Sequence, residues 1–156
     1  MSIPIDNITP FTVETIKYNL CNYTYDDYVM GVRGIVKFLK SMILLTNENG
    51  EIERNYVCTD ASRNTYYRLD EIKKWKVDKG GLFIEKMVDE MILCTSKYFD
   101  QVKDKARDIT DIYTEYNNKI LEKLKPIQHG FLNSDSKERA TLLANIRTGI
   151  KSCASL

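Results

Sequence analysis

Apolar residues recur at three- and four-residue intervals along most of this chain, the spacing that gives a helix one buried face. Phe11, Val13, Ile16 and Leu20 predict a short first helix, opened at Thr9-Pro10 or Thr12 and running to about Cys21. Tyr25, Tyr28, Val29, Val32, Ile35, Val36, Leu39, Met42 and Ile43 predict a second, to about Leu45, with Thr24 as N-cap three residues before Asp27. It is the most apolar helix of the chain and should be central. Asn47-Glu48-Asn49-Gly50 ends it in a cluster of turn formers.

The period then changes to that of strands. Between Arg54 and Gly81, Asn55 to Thr59 and Thr65 to Leu69 are β-branched and aromatic runs around the turn set Asp60-Ala61-Ser62-Arg63-Asn64. Lys74 to Val77 makes a third run and ends at Asp78-Lys79-Gly80-Gly81. Such a small sheet must lean on the flanking helices, and Tyr56, Cys58, Tyr66 and Trp75 are expected on its buried face.

Helical spacing resumes at Leu82 and continues to Lys125, where Pro126 should stop it, with Gly130 close behind. Tyr98, Val102, Ala106, Ile109, Tyr113, Tyr116 and Ile120 advance by threes and fours as a coiled-coil-like seam, with Asp100, Asp104, Asp108, Asp111 and Glu115 roughly opposite. An unbroken helix of that length would be roughly 65 Å long, against a diameter of roughly 40 Å for a domain of this size. Either it breaks, around Cys94-Thr95-Ser96 or Asn117-Asn118, and folds back, or it projects and buries Tyr98, Val102, Ile109, Tyr113 and Tyr116 against a second copy. The sustained seam and its aromatic residues favour projection and a homo-oligomer. A last helix, capped at Ser134-Asp135-Ser136 and running over 134–152, has Arg139, Leu142, Leu143, Ile146 and Ile150 marking one face.

The expected fold class is therefore α+β and helix-dominated. A small antiparallel sheet of two to three strands lies between an N-terminal helical pair and a long C-terminal helix. Length fits one domain, 1–156, made of a helical lead-in (1–46), a β-meander (54–81), the long helix (82–125) and the terminal helix (134–152).

Composition adds mainly exclusions. Lys and Arg number 23 against 22 for Asp and Glu, so no overall field draws the molecule to nucleic acid or to an anionic membrane. The four cysteines, Cys21, Cys58, Cys94 and Cys153, are dispersed, and one histidine, His129, joins them, which leaves no zinc ligand set and predicts free thiols in a reducing compartment. The longest apolar run, Met42 to Leu45, is far too short to span a membrane. Ten tyrosines suggest half-buried seams and interfaces. Gly31-Val32-Arg33-Gly34 has the G-x-x-G form of a nucleic-acid clamp but falls inside a helical pattern, where glycines allow close helix packing. No nucleophile, base or cofactor motif stands out, so no enzyme and no cofactor is expected.

The meander does combine cations with rings. Arg63, Arg68, Lys74 and Lys76 with Tyr66 and Trp75 are the candidate contacts for single-stranded nucleic acid. The simpler reading is a solvated sheet whose lysines guard its edges.

The run Tyr56 to Asn64, containing Cys58-Thr59-Asp60-Ala61-Ser62-Arg63-Asn64, followed by Tyr66-Tyr67, Lys74-Trp75 and Asp78-Lys79-Gly80-Gly81, resembles a segment in uncharacterised proteins of mimivirus-like large DNA viruses. In some of those the segment follows a zinc finger, and Lys17 to Leu39 is similar to their helical lead-in. The resemblance implies a viral protein inside the infected cell, in the cytoplasm, the viral factory or the virion. Its partner would be a viral or host protein, with nucleic acid as the alternative; it carries over no site residues.

Overall fold

The structure, a computed structural model, describes residues 8–154, without the side chains of Ala61 and of residues 152–154. It is helix-dominated α+β, as the hydrophobic periods predict. Helix α1 (Val13–Asn19) starts where Thr12 accepts the Thr15 amide at 3.1 Å. Thr24 and Asp27 cap each other's backbone amides at 3.3 and 3.1 Å, and this capping box opens α2 (Tyr25–Val29). The expected single helix from Thr24 to Leu45 is two. The chain turns at Gly31, whose φ of 67° suits glycine, and restarts as α3 (Val32–Ile43). The missing side chain at Gly34 lets the Asp27 carbonyl lie directly against α3.

Two short strands, β1 (Leu44–Thr46) and β2 (Ile52–Arg54), pair across the turn at 47–50. The Asn47 side chain accepts the amides of Asn49 and Glu51, both at 2.9 Å, which closes that turn. Strands β3 (Tyr56–Asp60), β4 (Thr65–Leu69) and β5 (Trp75–Lys79) then form the expected antiparallel meander. Register decides its faces: Tyr56 lies opposite Arg68, Cys58 opposite Tyr66, and Tyr66 opposite Asp78. Tyr56, Cys58 and Tyr66 are buried as expected. Trp75 is not on their face. It lies opposite Leu69, three positions and so an odd number from the Tyr66–Asp78 pair, and is half-buried on the other side with Tyr67 and Val77.

The meander is tied to the next helix through one carboxylate. Asp78 accepts the Tyr56 hydroxyl at 2.6 Å and the amides of Leu82 and Phe83 at 3.0 and 3.1 Å, which starts α4 (Phe83–Glu90). The Tyr56 and Tyr66 rings stack with centroids 4.9 Å apart.

The stretch 82–125 is not one helix. After α4 the axis changes at Met91 into α5 (Ile92–Arg107), the chain reverses over 108–113, and α6 (Thr114–Leu132) runs back along α5. The reversal comes from turn chemistry at Asp108 and Asp111. Pro126 does not end α6 either. Proline removes one helical hydrogen bond, but Leu124, Gln128 and Phe131 are buried on the same helix and hold it together past the defect. Helix α7 (Lys137–Ala154) packs on α6 and α3, with Leu142, Leu143, Ile146 and Ile150 in the core as the spacing predicts.

Arg139, on the same face and 2% exposed, acts as a strut. Its Nε donates to the Gly130 carbonyl at 2.7 Å and its Nη2 to Phe131 O and Asp89 at 3.2 and 2.9 Å, joining the end of α6 to α7 and α4. Four of the ten tyrosines, Tyr23, Tyr28, Tyr56 and Tyr66, are core residues rather than seam residues, at most 1% exposed. Tyr28 donates to Gln128 at 2.9 Å, and Tyr98 reaches the Tyr23 carbonyl at 2.8 Å. Cys21, Cys58 and Cys94 are free thiols; the Cys153 side chain lies outside the described residues. No helix among the described residues is long and apolar enough to cross a membrane.

Candidate interaction surfaces

The expected seam is divided by the reversal of the chain. Tyr98 is half-buried against Tyr23, Tyr25 and Tyr28, with ring centroids about 6 Å apart, and Val102 is 2% exposed. Both belong to this chain's own core. Ile109, Tyr113 and Tyr116 are 88%, 62% and 62% exposed. Ile112, which the sequence reading did not single out, joins them at 88%. These four side chains lie within residues 109–116 at the tip of the α5–α6 hairpin; of the other exposed large apolar residues, Val77 and Leu82 share a depression between β5 and α4.

The tip is stiff. Asp108 accepts the Thr110 amide and hydroxyl at 3.0 and 2.6 Å, and Asp111 accepts the Tyr113 amide at 2.7 Å. Thr114 donates its hydroxyl to the carbonyls of Asp108 and Asp111 at 2.7 and 2.6 Å. Asn118 reaches across to the Ala106 carbonyl at 3.3 Å, closing the end of α5 onto α6. The bonds from Thr110 hold the Asp108 carboxyl below its usual range, so it stays charged. Asp108 and Asp111 fix the backbone of the reversal while staying at least partly open to solvent, and its isoleucines and tyrosines are exposed beside them. The repeated Asp-Ile of Asp108-Ile109 and Asp111-Ile112 was the legible signal for two successive Asx turns.

The six candidate nucleic-acid contacts separate in the same way. Arg63, Lys74 and Lys76 are exposed, and Trp75 is half-buried. Tyr66 is fully buried. Arg68 is 7% exposed, with its guanidinium 4.1 Å from the centre of the Phe83 ring and Nη1 donating to the Phe11 carbonyl at 3.0 Å. Alternation along β4 places Tyr66 and Arg68 on one face, and that face packs on the helices.

A second surface lies between α3, α6 and α7. Val32 and Asn145 are shared by two adjoining depressions of about 470 and 330 Å³, which together form a shallow groove along α7. Its floor is apolar, from Val32, Val36, Ile127 and Leu142, and its rim carries Arg33, Lys37, Lys40 and Lys137 against the single carboxylate Glu138. Gly149 allows α7 to sit close on α3: a methyl group there would lie 2.6 Å from a Val36 methyl. Among the described residues, no three His, Cys, Asp or Glu side chains are grouped as a metal ion would require.

No family model, curated protein or solved structure matches this chain.

Proposed function

We propose that this chain is a non-enzymatic protein-interaction module that associates with copies of itself through the tip of the α5–α6 hairpin. The setting we propose is the one the sequence resemblance implies, the infected cell or the virion. The observation that carries the reading is the crowding of Ile109, Ile112, Tyr113 and Tyr116, each more than 60% exposed, on one rigid reversal. An interface anchor of this kind needs little ordering on binding, because the hydrogen-bonded turn has already fixed its backbone. The non-enzymatic part rests on where ionisation is most perturbed. Tyr23, Tyr28 and Tyr56 are held neutral chiefly by burial, deep in the core rather than in a cleft that a substrate could enter.

Light scattering at micromolar concentration tests the reading. The wild type should show more than one chain per particle, and Ile109→Glu with Tyr116→Glu should weaken association by roughly thirtyfold or more, the effect of losing central anchors. A wild type that stays monomeric, or an assembly indifferent to both changes, removes the tip as the contact. Binding of a single-stranded oligonucleotide at low salt would instead favour the alternative, a nucleic-acid accessory protein, for which Arg63, Lys74 and Lys76 remain the exposed cations.

A further inference from the structure

Resting on that self-association, we infer that the tip of one copy docks into the basic-rimmed α3–α7 groove of another, a head-to-tail contact between two different patches. The first argument is charge. The centre of the tip, 108–118, carries Asp108, Asp111 and Glu115 and no Lys or Arg, with Arg107 and Lys119 at its two edges. The groove carries Arg33, Lys37, Lys40 and Lys137 around its apolar floor. Tip against tip would bring three carboxylates onto three, whereas tip against groove pairs opposite charges around apolar side chains entering an apolar floor.

The second argument is shape and reach. The tip is a knob of exposed isoleucines and tyrosines, and the groove is a shallow pair of depressions whose floor has no side chain among the described residues laid over it. Tyr116 and Ile127 stand on the same helix, eleven positions and hence roughly 16 Å apart along its axis. A copy's own tip therefore cannot fill its own groove, and the occupant must come from a second molecule. Among the described residues no aromatic ring lines either depression, so these give a nucleic-acid base nothing to stack on. Lys37 is partly committed to Asp27 at 3.1 Å, which leaves Arg33, Lys40 and Lys137 as the main partners for the acidic tip. A contact of this class builds rings or chains unless two copies exchange tips reciprocally.

Complementation of two defective variants is the test. The tip variant is Ile109→Glu with Tyr116→Glu. The groove variant is Arg33→Glu with Lys40→Glu, and Asn145→Trp serves as a second groove variant that blocks the floor without touching charge. Each should keep the wild-type circular dichroism spectrum, since Ile109, Tyr116, Arg33 and Asn145 are exposed and Lys40 is half-buried. Each variant alone should be monomeric at a concentration where the wild type associates. An equimolar mixture of tip and groove variants should regain particles of two chains, because an intact tip then meets an intact groove. Groove variants that associate as well as the wild type would overturn the inference while leaving tip-mediated association standing. A mixture that stays monomeric would also overturn it, and a monomeric wild type would remove the underlying reading.

Discussion

Raising the pH from 9 to 12 is expected to unfold this protein in one cooperative step, with the tyrosinate absorbance of the four core tyrosines appearing together with the loss of helical circular dichroism. Tyr23, Tyr28, Tyr56 and Tyr66 are at most 1% exposed, and burial is the main reason each phenol holds its proton beyond the ordinary range. For Tyr56 the neighbouring Asp78 carboxylate acts in the same direction; Tyr66 is pushed up to about 12. The unfolded chain ionises its tyrosines near pH 10, while the folded one keeps these four protonated. A raised folded pKa leaves stability intact below the unfolded value and removes it as pH rises from there. Each such group lowers stability by about 1.4 kcal/mol per pH unit once the unfolded form ionises. Four acting together lower it by roughly 5 kcal/mol per unit, comparable within two units to the whole stability of an ordinary domain. Tyr28→Phe should make the fall about a quarter less steep. Ionisation of all ten tyrosines with native dichroism kept up to pH 12 would show that these four rings are open to solvent.

Gly34→Ala is expected to destabilise the fold by roughly 3 kcal/mol, against the direction helix propensity alone would give. Inside a helix the change to alanine ordinarily stabilises by about 1 kcal/mol. Here the new methyl would overlap the backbone carbonyl of Asp27, and backbone cannot step aside as a side chain can. Moving Asp27 also disturbs the cap on α2 and its 3.1 Å contact with Lys37. Gly149→Ala is the comparison: its methyl meets the Val36 side chain, which can rotate, and the loss should be smaller. Urea denaturation of the three proteins measures both differences, and a Gly34→Ala protein more stable than the wild type would mean that α2 does not pack on α3 as described.

The candidate surfaces were legible only in part, and the limits lie in particular residues. Ile109, Tyr113 and Tyr116 were named from the sequence for the right property, large apolar groups without a place in the core, but on the wrong scaffold. The spacing of the seam continues through 108–113 as if the helix did, because periodicity records which residues are apolar and not where the backbone reverses. Ile112 and the groove were missed for a related reason: the groove draws on α3, α6 and α7, segments far apart in sequence whose edges have no common period. Tyr66 and Arg68 were offered to a ligand because cations beside rings look alike whether they face solvent or core. Only the pairing of β4 shows which way they point.

What the sequence by itself determined is the set of elements whose signals are local. Thr24 with Asp27 starts a helix, 60–64 turns a hairpin, and Arg139, Leu142, Leu143, Ile146 and Ile150 bury one face of the last helix, because capping, turn propensity and helical period act over a few residues. What only the tertiary structure decided is how long each helix runs and which face a side chain meets. Gly31 splits one apolar run because α2 and α3 must pack at Gly34, α6 passes through Pro126 because Leu124 and Phe131 are buried on either side of it, and Trp75 misses the Tyr56–Tyr66 face because register sets it on the other face with Tyr67 and Val77. In each case burial and close contact between distant segments outweigh a local preference of about 1 to 3 kcal/mol.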